Sequence, residues 1–345
     1  MTSHPSASGG PKARALSVED YVRGILGRDL AVLARAVTLI ESDAPAHQSK
    51  ARELIQVLGE QLESPESGMA LRVGITGFPG AGKSTLIEAL GMHLIDLGHR
   101  VAVLAIDPSS ALSRGSILGD KTRMERLSRS EQSFIRPSPA GATLGGVARK
   151  TRETILLCEA AGYDIILVET VGVGQNETTV RNLVDFFLLV LIAGAGDELQ
   201  GIKRGVMEMA DALLLNKADG DNLPRTELAR REFGLSLKYL TPYTPGWQVP
   251  VLISSATEGT GIAELWQTIR DFAAVTRAGG VFAGQRRRQR ISWFDALLQE
   301  AVLARFFKQP GLQQRHARLR QEVAAGACQV NEAVDELLKE ECEDV

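Results

Sequence analysis

The chain has 345 residues, with 44% hydrophobic and 23% charged residues and a formal net charge of −3. That length suits one large α/β domain with smaller appendages, and the small negative charge gives no electrostatic pull toward nucleic acid or anionic membranes. The apolar run from Phe186 to Ala195 falls far short of a bilayer span and reads as a core strand. No basic-then-apolar leader pattern opens the sequence. Cys158, Cys328 and Cys342 have no pairing spacing, which suits a reducing, cytoplasmic compartment.

Residues 1–16, rich in Ser, Gly, Pro and Ala, read as a disordered N-terminus. Residues 17–66 read as a helical region. Ser17 can cap a helix over Val18 to Leu26, with Asp20 as acidic partner at its third position. Apolar residues then recur at helical spacing, first at Leu30, Leu33, Ala34, Val37 and Ile40, then at Ala51, Leu54, Ile55, Leu58 and Leu62. A linker follows at Ser64-Pro65-Glu66-Ser67-Gly68. No catalytic constellation falls in this prefix, so its reading is packing and partner contact.

Residues 67–280 alternate apolar strands with helices. Strands are predicted over Leu71–Thr76, Val101–Ile106, Ile165–Glu169, Phe187–Ile192, Ala212–Asn216 and Val251–Ser254. Helices are predicted over Ser84–Leu97, Gly146–Ala161, Lys203–Met209, Thr226–Leu235 and Ile262–Val275. Such alternation implies a mostly parallel sheet flanked by helices, with ligand loops at the carboxyl ends of the strands. Between the first strand and the first of these helices lies Gly77-Phe78-Pro79-Gly80-Ala81-Gly82-Lys83-Ser84, followed by Thr85. Glycines at this spacing let backbone N–H groups close around a triphosphate; Lys83 brings a cation to the β/γ-phosphates and the Ser84 hydroxyl can ligate Mg²⁺. The helix that starts here points its positive dipole end at the same phosphates. The fold class expected is therefore an α/β P-loop NTPase core.

Asn216-Lys217-Ala218-Asp219 ends a predicted strand. A carboxylate there can accept from the ring N–H and exocyclic amine of guanine, a donor pair that adenine lacks. Asn216 can read the opposite edge of the base or brace the P-loop, and the Lys217 stem can lie along the ring. With Ser255-Ala256-Thr257 after the next strand, the motif selects GTP. Asp107 ends the second strand, Asp120 lies in a following loop, and Glu169 precedes Gly172 and Gln175. Acids so placed can hold Mg²⁺ or its waters, and the Gly172 N–H can meet a γ-phosphate; the two stretches read as switches I and II. Gln175 is displaced from the position directly after the switch-II glycine, so slow intrinsic hydrolysis is expected. Residues 194–203, carrying Asp197, Gln200 and Lys203, read either as a solvated loop or as a third switch that reaches toward nucleotide or partner. After Gly279-Gly280, residues 281–345 read as an all-helical oligomerisation or docking arm, with helices over Ile291–Phe307, Gln313–Ala325 and Asn331–Glu341. The cluster Arg286, Arg287, Arg288 and Arg290 ahead of it reads as a solvated face.

The long motifs carry a specific likeness. Asp107-Pro108-Ser109-Ser110, Gly115 through Met124, Gly145 through Glu153, Glu169 through Gln175, Gly194 through Gly205 and Asn216 through Asp219 resemble the MeaB/ArgK/MMAA family of P-loop GTPases. The likeness runs from about Val18 to the C-terminus. It implies a chaperone that gates adenosylcobalamin loading into a cobalamin-dependent acyl-CoA mutase, chiefly methylmalonyl-CoA mutase, and protects or reactivates it. It further implies phosphate and Mg²⁺ roles for Lys83 and Ser84 and roles around Mg²⁺ for Asp107, Asp120 and Glu169. Asp197, Gln200 and Lys203 would couple nucleotide state to the mutase, and the tail would serve homodimerisation. The chain departs from the family pattern at Arg114, Asn176 and Ala193, where Gly, Ser and Pro are usual. Three rival readings are a nickel or zinc metallochaperone GTPase, a kinase of a transport protein, and a signal-recognition-type GTPase. The first needs soft ligands, yet the five histidines are scattered and no Cys-x-x-Cys occurs. The second needs an acceptor site and a separate base. The third needs a Met-rich or membrane-binding domain.

Overall fold

A computed structural model describes residues 16–62, 70–106, 124–136, 144–170, 177–193 and 204–339. The chain divides into two compact units, one through Arg286 and one from Arg287. In the first, β1 (Leu71–Gly77), β2 (Val101–Ile106), β3 (Ser133–Arg136), β4 (Ile165–Thr170), β5 (Phe186–Ile192), β6 (Ala212–Asn216) and β7 (Val251–Ile253) form one sheet. Its order is β3-β2-β4-β1-β5-β6-β7, and every pairing is parallel. The chain runs outward from β1 to β2 and β3, returns to β4, and crosses β1 to reach β5. The middle of the sheet is therefore a switch point, where ligands of open α/β sheets collect at the strand carboxyl ends.

Strand alternation builds two cores. On one face Val73, Ile75, Val101, Val103, Leu167, Leu188 and Leu214 pack with α4 (Lys83–Asp96) and α10 (Ile262–Ala278). On the other, Ala102, Leu104, Ile166, Val168, Phe187 and Leu213 meet α6 (Leu144–Ala160). Over α6 lies the helical prefix: α1 (Val18–Leu26), α2 (Leu30–Glu41) and α3 (Pro45–Leu62), whose Ile25, Leu33, Val37, Leu54 and Leu58 are buried in that core. The capping box forms as read, Asp20 N–H donating to the Ser17 hydroxyl at 3.1 Å and Ser17 N–H to the Asp20 carboxylate at 3.1 Å. Buried Lys150 of α6 ties the prefix down by donating to the Glu41 carbonyl and to Asp43, both at 2.8 Å.

Several short elements come in that periodicity did not announce. β3 is a four-residue edge strand, too short for its alternation to stand out. α7 (Glu177–Arg181) is a five-residue helix after β4. Also in this unit are α5 (Glu125–Ser128), α8 (Arg204–Met209) and α9 (Leu223–Leu237). α11 (Val281–Phe306) starts ten residues before the predicted Ile291 and takes in the arginine cluster. Arg286 is a correction: it is buried, its guanidinium donating to Asp185 and, at 2.8 Å, to the Ala70 carbonyl, while Arg287, Arg288 and Arg290 are exposed as expected. In the second unit α12 (Leu312–Ala324) packs on α13 (Val330–Leu338), with Arg318 bridging Glu322 at 2.9 Å and Glu336 at 2.6 Å. Among the described residues no helix is long and apolar enough to cross a membrane.

The amino ends of three strands are closed in one way. Asp164, Asp185 and Asp211 each stand immediately before a strand and accept the backbone N–H of the neighbouring strand, from Arg100 at 2.8 Å, Arg72 at 2.9 Å and Phe187 at 2.9 Å. These N–H groups would otherwise lack a ladder partner. Asp211 is almost fully buried and also holds the Thr244 hydroxyl at 2.6 Å and Arg181 at 3.2 Å. Burial pushes its carboxyl up from 3.8 to about 6, against the pull of Arg181, the Thr244 hydroxyl and the Phe187 amide. Because the folded value is raised, Asp211's contribution to stability is full below pH 3.8 and is lost as pH rises through about 6. At about 1.4 kcal/mol per unit the loss is on the order of 3 kcal/mol. Asp211→Asn leaves Arg181 short of its carboxylate and lowers stability at every pH. Its deficit relative to wild type should nevertheless shrink between pH 4 and pH 7 in urea unfolding. A deficit that stays constant would mean that Arg181 keeps the carboxylate ionised throughout.

Candidate nucleotide site

The P-loop joins the end of β1 to α4 in the middle of the sheet. Two of its glycines are required by space. Gly77 lies against β5, where a Cβ would sit 2.2 Å from the Val190 carbonyl oxygen. Gly82 has φ +81°, and a Cβ there would sit 2.7 Å from Asn216 Nδ2. Gly82 caps α4 without a side chain, so the first amides of that helix keep their donors for a ligand. Pro79, Gly80 and Thr85 are exposed around the loop and Ala81 is buried beneath it. Lys83 is buried and folds back, donating from Nζ to the Gly77 carbonyl at 2.8 Å and the Phe78 carbonyl at 3.1 Å. Burial lowers its pKa and Glu169 opposes that shift. An ammonium held by two loop carbonyls, with the Glu169 charge acting on it, is well suited to exchange them for phosphate oxygens.

Glu169, near the end of β4, is buried, and the Ser84 hydroxyl donates to its Oε1 at 3.3 Å. Beside them Thr170 donates to the Thr76 hydroxyl at 2.8 Å, locking β4 to β1 under the loop. This link was not visible in the sequence, because two threonines in separate strands carry no pairing signal. Ser84 and Glu169 are hard oxygen donors, the kind Mg²⁺ takes, and their convergence beside the P-loop fits that ion. Asp107, Asp120, Gly172, Gln175, Asp197, Gln200 and Lys203 lie outside the described residues.

The base-side motif is brought onto the P-loop by the β1-β5-β6 order. Of the two roles open to Asn216, the geometry is that of the brace: its Nδ2 donates to the Ala81 carbonyl at 2.9 Å, and its Oδ1 accepts from Ser254 Oγ at 3.1 Å and Ala256 N at 3.3 Å. Lys217 takes the left-handed conformation at φ +59° and is exposed. Its Cε comes 3.8 Å from where a Gly82 Cβ would be, so its stem reaches back to the P-loop. Asp219 accepts from Ser255 Oγ at 2.6 Å and Thr257 Oγ1 at 3.4 Å, both contacts falling on Oδ2. Those contacts orient the carboxylate. All the predicted ligands that the structure describes thus gather along one edge of the sheet.

A glycine-rich loop at the switch point, braced by an Asn-Lys-x-Asp turn on the neighbouring side of the sheet, is the construction of the P-loop GTPases, and the chain is one of them. Its relatives place it more narrowly. A family described as "Methylmalonyl Co-A mutase-associated GTPase MeaB" matches residues 33–311. The Mycobacterium tuberculosis protein named "Probable GTPase" is 50% identical over 310 residues, covering 90% of this chain and 91% of the relative. The mouse protein named "Methylmalonic aciduria type A homolog, mitochondrial" is 45% identical over 331 residues, covering 93% and 79%. A solved structure, titled as that of a LAO/AO transport system kinase, superposes with a TM-score of 0.71 at 38% identity, covering 93% of this chain and 96% of that one. The chain belongs to the methylmalonyl-CoA mutase-associated GTPase family, and its nucleotide is a guanine nucleotide.

Proposed function

We propose that this GTPase is the chaperone of an adenosylcobalamin-dependent acyl-CoA mutase, methylmalonyl-CoA mutase before others, gating cofactor loading and protecting or reactivating the enzyme. The observation that carries this reading is the family match, which runs through the GTPase core and into the C-terminal helices. In this mechanism the P-loop amides and the α4 N-terminus bind the phosphates, Lys83 leaves the loop carbonyls for the β/γ-phosphates, and Asp219 selects guanine. Ser84 and Glu169, with Asp107 and Asp120, would hold Mg²⁺, which supplies charge neutralisation at the phosphates when bound. The Gly172 N–H would meet the γ-phosphate, and Gln175, displaced in sequence from the position directly after the switch-II glycine, would not orient water without help. Hydrolysis is therefore slow until a partner orders the switches. Lys203 would swing between Asp197 or Glu198 and the γ-phosphate, and so report nucleotide state to that partner through Gln200 and its neighbours.

The second unit supports a homodimer. Along α11, Ile291, Phe294, Leu298 and Val302 are all more than half exposed and share a helical stripe. A second copy of the chain would cover such a stripe.

The experiment is GTP turnover with and without purified methylmalonyl-CoA mutase, alongside adenosylcobalamin transfer followed by its visible spectrum. Stimulation by one or more orders of magnitude is expected, with transfer dependent on nucleotide, and free protein sedimenting at about twice the chain mass. Lys203→Ala should abolish most of the stimulation. Fast turnover by the protein alone, unresponsive to the mutase, would count against the chaperone reading.

A further inference from the structure

The short segment from Glu177 to Asp185 is gripped from every side. Only six residues separate it from the end of β4 in the nucleotide site. Its apolar face presses on β1 itself: a Cβ on Gly74 would lie 2.9 Å from the Val184 side chain and 3.1 Å from that of Val180. No side chain larger than hydrogen fits there, so the segment touches the strand that ends in the P-loop. Arg181, among the largest fully buried side chains, donates to the Asp185 carbonyl at 3.2 Å and the Thr244 hydroxyl at 3.0 Å, pairs with Asp211, and lies under the Tyr243 ring. Among the described residues its Nε has no hydrogen-bond partner.

The far end of the segment is held by α11. Gln285 donates to the Val184 carbonyl at 2.8 Å and the Asp185 carbonyl at 3.2 Å. Arg286 takes both oxygens of the Asp185 carboxylate and approaches Glu159 at 3.5 Å, while Arg72 of β1 holds Glu159 with two bonds of 2.8 Å. Burial alone would lower the Arg286 pKa, but Asp185 and Glu159 outweigh it and raise it. Two carboxylates and two guanidiniums alternate here with their charges matched. α11 then continues past Arg286 as the helix that carries the exposed apolar stripe.

We infer that Arg181, Asp185, Gln285 and Arg286 are positioning residues that relay the nucleotide state at the end of β4, through the Glu177–Asp185 segment, to the first turns of α11. The inference rests on the guanine-nucleotide site assigned above, and it adds the direction in which that site's changes travel. A coupling of this kind needs contacts that differ between two states; the Asp185 carbonyl, shared at 3.2 Å by Arg181 and by Gln285, is where they can change.

The test is amide hydrogen exchange of the full chain with GDP and with a non-hydrolysable GTP analogue, read in residues 281–290 and, as a control, in residues 83–96. Wild type should show nucleotide-dependent protection in both, differing more than about threefold in 281–290. Asp185→Asn/Arg286→Met removes the pair without leaving either charge buried alone, and it should keep the response at 83–96 while losing it at 281–290. If that variant fails to fold, Gln285→Leu removes two neutral hydrogen bonds and should blunt the same response, and Arg286→Lys should restore part of what the paired change loses. A wild type that responds at 83–96 but not at 281–290, or variants that keep both responses, would overturn the relay alone. No guanine-nucleotide response at 83–96 in wild type would overturn the site assignment and the relay together.

Discussion

Asp219→Asn should lower GTP affinity by about a hundredfold or more and raise affinity for xanthosine triphosphate. In the proposed role the carboxylate would accept two hydrogen bonds from guanine, and bonds to a charged acceptor contribute about 1.5–3 kcal/mol each. An amide offers a donor where guanine presents its own amine, so one bond becomes a clash of donors. Xanthine carries an oxygen at that position and accepts from the amide instead. The Ser255 hydroxyl, 2.6 Å from Oδ2, can still meet a side-chain oxygen, so the turn should keep its shape and the effect should be one of specificity. Titration with both nucleotides measures it; unchanged GTP affinity in the variant, or a wild-type preference for ATP, would overturn the assignment of Asp219.

Lys83→Ala should reduce GTP turnover by about two to three orders of magnitude, as loss of one preorganised donor to a developing charge does. Its effect on the free protein should run the other way. In the absence of nucleotide Lys83 is a buried ammonium held by two carbonyls, with burial depressing its pKa and Glu169 alone pulling it back up. Removing a buried charge that is only partly compensated relieves its desolvation cost. The variant's melting temperature without nucleotide should therefore equal or exceed that of wild type, while the rise on adding GTP should largely vanish. A variant that melts lower in both conditions would show Lys83 to be a structural residue of the loop.

Much of the architecture was readable because it rests on local periodicity. Val101–Ile106 and Ala212–Asn216 form the strands expected at their very ends, because each is a continuous apolar run buried on both faces. α1 keeps its predicted bounds because Ser17 and Asp20 close its cap within four residues. The nucleotide loop was readable for a different reason: glycine spacing followed by Lys and Ser is a chemical requirement that few other arrangements share. The rest depended on partners far away in sequence. Arg286 stood in a run of arginines and read as solvated, yet its fate was decided by Asp185, about a hundred positions earlier. The strand-starting aspartates did leave a trace, in Tyr163-Asp164-Ile165, Val184-Asp185-Phe186 and Ala210-Asp211-Ala212. An acid directly before an apolar strand is the signal that would have found them.

The sequence by itself determined that this is a guanine-nucleotide-binding α/β protein, because phosphate and base recognition need particular residues at particular spacings along the chain; the likeness to the MeaB family rested on its longer motifs. Only the tertiary structure decided that Asn216 braces Ala81, that Gly74 admits Val180 and Val184 against β1, and that Arg286 is drawn inside to Asp185. Those outcomes turn on which strands become neighbours in the sheet. Strand order is set by burial summed over the whole domain, and a pairing between distant residues leaves no periodicity in either stretch.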